Sequence, residues 1–346
     1  MEINDLLRLA AEKKASDVHF TVGLPPMMRL YGKLLPINDK TPLTAQDTER
    51  LAFSSISEEQ IAEFKRNREL DVSYAIEGLC RFRVNIYWQQ NNIAVAIRLI
   101  PSQIPTPEEI GLTREVINLT NLKNGLVLVT GPTGSGKSTT LASLIKHINA
   151  HKDKHILTIE DPIEFIYKSG QSMVNQREVG QDTFSFSNAL KSALREDPDV
   201  ILVGEMRDLE TIAATLTIAE TGHLAFATLH TNDVSQTIDR IIDVFPPYQQ
   251  QQIRMMLSVV LKGIVCQQLL PTKDGQGRVA AREILFCDSA VSNMIREGST
   301  QQIYSRIQTG GNLGMRTLDA DILRLYKEGL ISKETASEFS IRPLQM

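Results

Sequence analysis

A glycine-rich run that ends in lysine and serine is the segment best suited to chemistry. Residues 131–138 read Gly-Pro-Thr-Gly-Ser-Gly-Lys-Ser, which matches the phosphate-loop pattern G-x-x-x-x-G-K-[ST]. Glycines let successive backbone N–H groups turn toward phosphate oxygens, and the helix expected after the run presents its positive end to the same anion. The alternative is a glycine-rich turn between a strand and a helix that binds no ligand. The predicted nucleotide-binding residues are Gly131, Pro132, Thr133, Gly134, Ser135, Gly136, Lys137, Ser138 and Thr139.

Within this run, two side chains have specific tasks in phosphoryl chemistry. Lys137 is expected to reach the β- and γ-phosphates of the nucleotide, and Ser138 to offer its hydroxyl to Mg²⁺. The loop alone does not separate ATPases, GTPases and small-molecule kinases. The segment Val200–Glu205 is an apolar strand that ends in an acid, as the second nucleotide motif does where it holds Mg²⁺ or its water. Glu205 stands where an aspartate is more usual. Without the phosphate loop, a buried strand followed by an exposed glutamate is the better interpretation.

Three carboxylates lie within five residues in the segment Ile159–Glu164. Carboxylates this close together repel one another unless a cation is present. They lie at the end of a predicted strand, which is where the ligand crevice of an α/β sheet is found. Asp161 is therefore a candidate ligand for Mg²⁺, together with Ser138 and Glu205. Glu164 is the candidate to orient the water that attacks the γ-phosphate. The alternative is a solvated acidic turn.

Two histidines bracket a predicted strand in the segment Thr221–Thr231. His230, at the carboxyl end, is predicted to sense the γ-phosphate, because an imidazole there can report whether that phosphate is present. His223 lies at the other end, where a role at the nucleotide is less well supported. A single histidine at a strand end is more often a surface or core residue than a catalyst.

The elements that must position these residues divide near residue 100. Residues 101–107 contain three prolines, which favour an extended linker. The first hundred residues carry 13 basic and 13 acidic side chains, whereas the remainder carries 24 and 28 and so accounts for the net charge of −4. We therefore predict an N-terminal domain at 1–100, a linker region at 101–120 and an ATPase domain at 121–346.

Hydrophobic patterning predicts an α+β first part and an alternating second part. In the first part, Phe82, Val84, Ile86 and Trp88 alternate with polar residues and are predicted to face the core. The predicted elements there are helices at 3–14 and Ser57–Arg68 and strands at Val18–Thr21, Met27–Tyr31, Arg81–Trp88 and Ile93–Ile100. The predicted strands of the second part are Leu126–Thr130, His155–Glu160, Val200–Gly204 and Leu224–Leu229. The helices expected after them are Lys137–Ala150, Ser187–Arg195, Asp208–Thr221 and Val234–Val244, followed beyond Asp288 by several small helices. Alternating strands and helices favour a mostly parallel sheet with helices on both faces.

Composition excludes several classes of protein. A net charge of −4 disfavours whole-protein attraction to nucleic acid or anionic lipid. No apolar run approaches the ~20 residues that span a bilayer, and the first residues lack the pattern of a signal peptide. Cys80, Cys266 and Cys287 are too far apart in sequence to indicate a zinc site or a disulfide framework. These features predict a cytoplasmic protein without membrane insertion and without a nucleic-acid partner.

The four chemical segments, in this order, resemble the secretion-type ATPases that power type IV pili and type II secretion, whose boxes are named Walker A, Asp, Walker B and His. The likeness covers essentially the whole chain, from Ala15–His19 to Ile307–Gly311. It implies an α/β protein with a PAS-like N-terminal domain and a RecA-like P-loop ATPase domain that ends in a helical tail. It also implies a ring-shaped homohexamer that binds ATP and Mg²⁺ between the two domains and couples hydrolysis to their rotation.

The resemblance also assigns roles to individual residues. Glu164 matches the catalytic carboxylate, Glu205 the Walker B acid, and His230 lies in the His box. Arg83 and Arg98 match the N-domain arginines that reach the nucleotide, with Arg81 a weaker third. An arginine supplied by a moving domain makes phosphoryl transfer depend on closure. The alternative for Arg83 is a solvent-facing strand residue.

Within the family, the likeness is strongest to motors that retract pili and so drive twitching motility. The tetracysteine zinc site and the extra N-terminal domains typical of extension motors are absent from this sequence. One arginine of the family's retraction motif is replaced by Ser292. An accessory retraction paralogue therefore stays open, as does an assembly or type II secretion motor. A nucleotide-gated binding module with residual hydrolysis belongs to a different class, and a DNA translocase is disfavoured by the charge.

The resemblance implies partners as well. They are an inner-membrane platform protein of the pilus machinery and, through it, the pilin fibre. Localisation is then cytoplasmic and peripheral at the inner membrane.

Overall fold

The computed structural model describes residues 2–30, 32–37, 41–100 and 103–342. It divides into two compact units. The first unit comprises Met1–Gln103 with Pro162–Ile166, and the second comprises Ile104–Asp161 with Tyr167–Met346. The predicted strand end at Tyr31 and the linker residues Pro101 and Ser102 lie outside the described residues.

The first unit is built on one antiparallel sheet of six strands in the order β3-β2-β1-β6-β5-β4. Its strands are β1 Asp17–Phe20, β2 Met27–Leu30, β3 Lys33–Pro36, β4 Glu69–Ile76, β5 Cys80–Gln89 and β6 Asn92–Ile100. Its helices are α1 Ile3–Glu12, α2 Ala45–Phe53 and α3 Glu58–Asn67. The α+β prediction is confirmed, although β3, β4 and α2 were not predicted from the sequence.

Two helices of this unit, α2 and α3, begin where polar side chains cap their first turns. Ser57 and Gln60 form a reciprocal capping box at the start of α3, with N···O distances of 3.3 Å from Gln60 N to Ser57 Oγ and 3.0 Å from Ser57 N to Gln60 Oε1. Helix α3 ends at Arg68, whose φ of 65° is left-handed. This helix was predicted from the sequence with the same bounds to within one residue.

The buried face of β5 agrees with the predicted alternation at three positions and differs at the fourth. Phe82, Val84 and Ile86 are fully buried, but Trp88 keeps 41% of its surface exposed. Trp88 lies at the end of the strand beside the hairpin turn, where Phe64 of α3 stacks on its ring at a centroid distance of 6.2 Å. Trp88 therefore contacts the core side through Phe64, as its place in the alternation predicts, but at the end of the strand its ring stays partly exposed.

The second unit is built on a seven-stranded sheet in the order β13-β12-β7-β11-β10-β8-β9, parallel except for the β12–β13 pair. Its strands are β7 Gly125–Thr130, β8 His155–Glu160, β9 Met173–Glu178, β10 Val200–Val203, β11 Leu224–Leu229, β12 Leu261–Pro271 and β13 Arg278–Phe286. Its helices before β12 are α4 Arg114–Asn118, α5 Lys137–His151, α6 Phe186–Ala193, α7 Leu209–Glu220, α8 Val234–Asp243 and α9 Pro247–Val260. The mostly parallel sheet is confirmed, whereas β9, β12, β13, α4 and α9 were not predicted.

The four strands predicted for this sheet are its apolar centre. Every residue of β7 and β11 is buried, and these two strands are paired in parallel over their whole length. Because parallel strands end at the same edge, the loops that follow β7, β8, β10 and β11 emerge side by side. This edge therefore carries the phosphate-loop sequence, the acidic turn, Glu205 and His230.

The chain ends in small helices, as the sequence predicts. They are α10 Ser289–Glu297, α11 Ile303–Thr309, α12 Leu318–Lys327 and α13 Lys333–Phe339. Leu318, Ile322 and Leu325 of α12 pack with Leu270 of β12 and Ala281 of β13 in a separate apolar cluster. The tail is thus fastened to the antiparallel edge of the sheet.

Candidate nucleotide site

The glycine-rich loop joins β7 to α5, as the phosphate-loop pattern requires. Gly131 has a φ of 139° and Gly136 a φ of 87°, conformations that side-chain-bearing residues rarely adopt. A Cβ at Gly131 would lie 2.2 Å from the carbonyl oxygen of Gln267 and 2.7 Å from Ser135 Oγ. The loop therefore depends on glycine both for its turn and for its close approach to β12.

Lys137 begins α5 with its amine turned back into the loop. Its side chain is largely buried, with 8% of the residue exposed. Nζ donates to the carbonyl oxygens of Gly131 at 2.9 Å and Pro132 at 3.1 Å. The loop thus holds a cation at its centre, at the amino end of a helix whose dipole also favours an anion there.

Ser135 supplies a direct indication that the loop fits a phosphate-bearing ligand. The residue is 3% exposed, and within the described ranges its Oγ is buried without a hydrogen-bond partner. A buried hydroxyl without a partner is costly, so a site that leaves one is suited to a polar ligand. Together with the amine of Lys137, this hydroxyl makes the loop chemically suited to a nucleotide phosphate.

Glu205 and His230 lie together at the ends of the adjacent strands β10 and β11. Glu205 Oε1 lies 3.1 Å from His230 Nε2 and 2.6 Å from Arg207 Nε. The other ring nitrogen of His230 lies 3.4 Å from the hydroxyl of Thr133 in the phosphate loop. His230 therefore bridges the loop and the Walker B acid, a position suited to sensing a third phosphate.

The charges around Glu205 set its ionisation. Burial alone raises the pKa of this carboxyl group. The hydrogen bond from Arg207 and the electrostatic influence of His230, Arg207 and Lys137 outweigh burial and hold the pKa of Glu205 below its ordinary value. The hydrogen bond to Glu205, aided by the charge of Asp161, raises the pKa of Arg207. Glu205 is therefore a carboxylate at neutral pH.

The acidic turn after β8 separates its three carboxylates into different surroundings. Glu160 is 8% exposed and accepts hydrogen bonds from Thr158 Oγ1 at 2.7 Å and Gln176 Nε2 at 3.3 Å. Asp161 is exposed and close enough to Arg207 to affect its pKa. Glu164 is exposed, and the five-residue segment that contains it is grouped with the first unit. Its role as the catalytic carboxylate stays a prediction.

A family model described as type II/IV secretion system protein matches residues 2–328. The chain belongs to this family. A similar protein, the type IV pilus retraction ATPase PilT of Pseudomonas aeruginosa, is 50% identical over 338 residues, which cover 98% of this chain and 98% of that protein. The type IV pilus ATPase PilU of the same organism is 42% identical over 336 residues, which cover 97% of this chain and 88% of that protein.

A solved structure agrees with this family and with the fold. The crystal structure of the pilus retraction motor PilT with bound ADP matches at a TM-score of 0.92 and 48% identity, covering 100% of this chain and 99% of that one. The predicted α/β fold class is confirmed. With the phosphate loop described above, these relatives make the present chain an ATPase of the type II/IV secretion family.

The metal ligands predicted for this ATPase are hydroxyl and carboxylate oxygens. Across the described ranges, no three His, Cys, Asp or Glu side chains are grouped so as to hold a metal ion by themselves. Mg²⁺ in nucleotide sites uses one or two protein oxygens and completes its shell with phosphates and waters, so Ser138, Asp161 and Glu205 fit its chemistry as donor types. That they hold the ion stays a prediction.

The predicted arginines lie on the first unit of this ATPase. Arg83 of β5 and Arg98 of β6 are directly opposite in the antiparallel register, and each is paired with an acid. Arg83 Nε donates to Asp71 Oδ2 at 3.0 Å, and Arg98 Nε donates to Asp17 Oδ1 at 3.3 Å. Their like charges are thus brought together and partly balanced on one face of the sheet. Their role at the nucleotide is untested and stays a prediction.

We expect Arg83→Ala to slow ATP turnover by at least about tenfold, because an arginine that stabilises γ-phosphate charge contributes strongly to phosphoryl transfer. The ion pair of Arg83 with Asp71 is exposed, with side-chain exposures of 45% and 40%. Exposed pairs contribute little stability, so the melting temperature should change little. Phosphate release and thermal melting measure the two effects. Arg66→Ala, an exposed position on α3, is the matched control. Wild-type turnover in Arg83→Ala contradicts the assigned role.

Two residues of the site had no assigned role in the sequence analysis. Arg207 follows Glu205 by two residues and forms an ion pair with it. A basic residue so close in sequence to the predicted acid was the signal that could have identified it. Gln267 lies on β12 against the phosphate loop, where its amide bonds to Ser135 and Thr140. No local pattern identifies Gln267, because it approaches the loop only through the pairing of β12 with β7.

Proposed function

We propose that this ATPase hydrolyses ATP to drive retraction and disassembly of a type IV pilus, the motion that underlies twitching. The observation that carries the proposal is a phosphate loop in contact with the Glu205–His230 pair, in a chain that is 50% identical to PilT over nearly its full length. The composition, charge and motif order described above support the same function.

The chemistry of the site can be assigned to the chain's own residues. The loop amides and the amine of Lys137 bind the phosphates, and Lys137 exchanges the carbonyls of Gly131 and Pro132 for phosphate oxygens. His230 leaves Glu205 to contact the γ-phosphate and returns when it departs. Ser138, Asp161 and Glu205 would hold Mg²⁺, which would supply charge neutralisation to the phosphates.

Two further assignments complete the catalytic step. Glu164 orients and polarises the attacking water, and Arg83 and Arg98 stabilise charge on the transferred phosphoryl group. Glu164 is exposed, which suits a base that must meet water.

The proposed assembly is a homohexameric ring that acts on an inner-membrane platform protein and through it on the pilin fibre. Near-complete coverage of a retraction motor's chain supports this assembly. No helix in the described parts of the chain is long and apolar enough to cross a membrane. From the likeness to the pilus retraction ATPase PilT, we propose a cytoplasmic protein that is held at the inner membrane by the pilus machinery.

The second candidate is an accessory retraction motor, and Ser292 favours it. The helix that carries the altered retraction motif is intact, as α10 begins at an Asp288 cap bonded to Val291 N at 2.9 Å. Ser292 Oγ lies 3.5 Å from Cys287 Sγ, so the serine packs locally where the family has a long cation. The 50% identity to PilT, a pilus retraction ATPase, supports retraction as the first candidate.

Deletion of the gene in its own host tests the proposal. A principal retraction motor leaves cells that carry pili unable to shorten, and wild-type complementation restores shortening whereas Lys137→Ala does not. Deletion of an assembly motor leaves bald cells, and loss of an accessory motor leaves weakened retraction. Bald cells therefore contradict the proposal, and residual retraction assigns the accessory role.

A further inference from the structure

Gln267 of β12 is buried beneath the phosphate loop. β12 pairs in parallel with β7, and the register places Cys266 opposite Thr130, the last residue before the loop. Gln267 therefore follows at the level where the loop begins. It is 1% exposed, so both polar atoms of its amide must find partners within the protein.

The amide joins the loop to the helix that follows it. Nε2 donates to the carbonyl oxygen of Ser135 at 2.7 Å, and Oε1 accepts from Thr140 Oγ1 at 2.9 Å. A carbonyl only accepts, whereas a hydroxyl does both, so the Ser135 carbonyl dictates which end of the amide faces the loop. Thr140, in the first turn of α5, then satisfies the other end.

The loop glycines show how closely Gln267 and the loop approach. A Cβ at Gly131 would lie 2.2 Å from the Gln267 carbonyl oxygen, and a Cβ at Gly136 would lie 3.3 Å from its Nε2. Gly131 and Gly136, at the two ends of the glycine run, therefore both contact Gln267 of β12. The backbone of Gln267 limits the first glycine and its side chain limits the last.

This contact fixes the orientation of one peptide group. In a planar trans peptide the C=O of one residue and the N–H of the next point in opposite directions. Because the Ser135 carbonyl points at Gln267, the N–H of Gly136 points away from it. That N–H belongs to the backbone donors that a phosphate loop turns toward its anion.

We propose that Gln267 is a positioning residue of the ATPase site, which holds the Ser135–Gly136 peptide so that the Gly136 N–H is aimed at a nucleotide phosphate before the nucleotide binds. The inference rests on nucleotide binding at the loop and is independent of the pilus. Preorganised donors lose little freedom on binding, so the contact contributes to affinity without touching the ligand.

The test replaces Gln267 by methionine, which keeps a long side chain and removes both hydrogen bonds. Labelled ADP is titrated into the purified full-length chain, and ATP turnover is measured over a range of ATP concentrations. We expect Gln267→Met to weaken ADP about tenfold, as loss of two ordinary hydrogen bonds implies. The KM for ATP should rise by a similar factor with kcat within about threefold, because the lost contact acts equally on bound substrate and transition state.

The matched control is Gln268→Met, one residue further along β12, where the side chain points to the opposite face of the sheet. It should bind ADP as the wild type does. A purely structural role for Gln267 predicts lower kcat with unchanged KM, because only the fraction of active protein falls. That result, or wild-type ADP affinity in Gln267→Met, overturns the proposal.

A second variant covers the case in which Gln267→Met does not fold. Thr140→Val removes the partner of Oε1 and leaves one of the two hydrogen bonds that hold the buried amide, so the Ser135–Gly136 peptide is held less firmly and ADP should bind about threefold more weakly. Unchanged affinity in Thr140→Val overturns the positioning role. If the wild type itself fails to bind ADP, the nucleotide-site assignment fails instead, so the two failures are separate.

Discussion

Replacing Lys137 with alanine is expected to weaken ADP binding by at least about a hundredfold, the equivalent of ~2.7 kcal/mol. The amine is largely buried at the centre of the loop, where a charge-assisted contact to phosphate is strong because little water competes. Its present partners are two carbonyls of the loop, at 2.9 and 3.1 Å, which a phosphate can replace. Fluorescence titration with a labelled ADP measures the loss.

The control for this variant is Lys123→Ala, which removes the same charge from an exposed position just before β7. It should bind ADP within about threefold of the wild type, because an exposed charge at a distance is screened by salt. If Lys137→Ala also binds ADP within that range, Lys137 does not hold the phosphates and the loop assignment is wrong.

The second large effect is expected for Glu205→Gln, which should lower ATP turnover about a hundredfold while leaving ADP affinity nearly unchanged. The substitution keeps the shape of the side chain but removes the charge that His230 and Arg207 share at 3.1 and 2.6 Å. Without it, the site loses its predicted oxygen ligand for Mg²⁺ and the partner that orients His230. Phosphate release and the ADP titration separate the two effects.

Glu220→Gln, an exposed position at the carboxyl end of α7, is the control for charge alone and should turn over ATP normally. Turnover in Glu205→Gln equal to that of this control contradicts the Walker B role.

The lowered pKa of Glu205 adds a pH dependence with a defined sign. Since the folded pKa lies below the ordinary value, the ionised carboxylate of Glu205 stabilises the fold at pH values above the ordinary value of 4.5. That contribution disappears as the pH falls through the lowered pKa, and Glu205→Gln lacks it throughout. Below that range, the wild type and the variant should converge in melting temperature.

The parts of the site that lie close together in sequence were predictable from it. The phosphate loop, the apolar strands at its sides and the acids that end them each carry a local pattern, and β8 and β11 have the predicted bounds. Parallel pairing then brings Glu205 and His230 together without further information, since both follow strands of one sheet. Local spacing therefore determines which residues gather at this edge.

Other elements were missed for identifiable physical reasons. The helix α9 passes directly into β12 at Val260 and Leu261, so a long apolar segment has no Gly or Pro break at the boundary. Because β12 was not recognised, its pairing beside the phosphate loop and the role of Gln267 were not accessible. By contrast, β4 could have been predicted, because its buried apolar residues Leu70, Val72 and Ile76 are separated by even numbers of positions, as in a strand with one buried face.

The two arginines of the first unit that are predicted to reach the nucleotide were identified through family resemblance and not through a local sequence pattern. Arg83 and Arg98 occupy exposed strand positions that also suit ordinary surface residues. Their ion pairs with Asp71 and Asp17 are a sufficient reason for a positive charge at each position. Their spacing in sequence therefore contains no signal that separates a catalytic arginine from a solvent-facing one. Only the turnover of Arg83→Ala separates the two interpretations.

The account rests most directly on ATP hydrolysis at the phosphate loop, and phosphate release by the purified wild-type chain with ATP and Mg²⁺ tests it. We expect steady turnover that saturates with ATP and falls to background in Lys137→Ala, whose loop lacks the buried amine. Absence of turnover in the wild type, or equal turnover in the two proteins, contradicts the account.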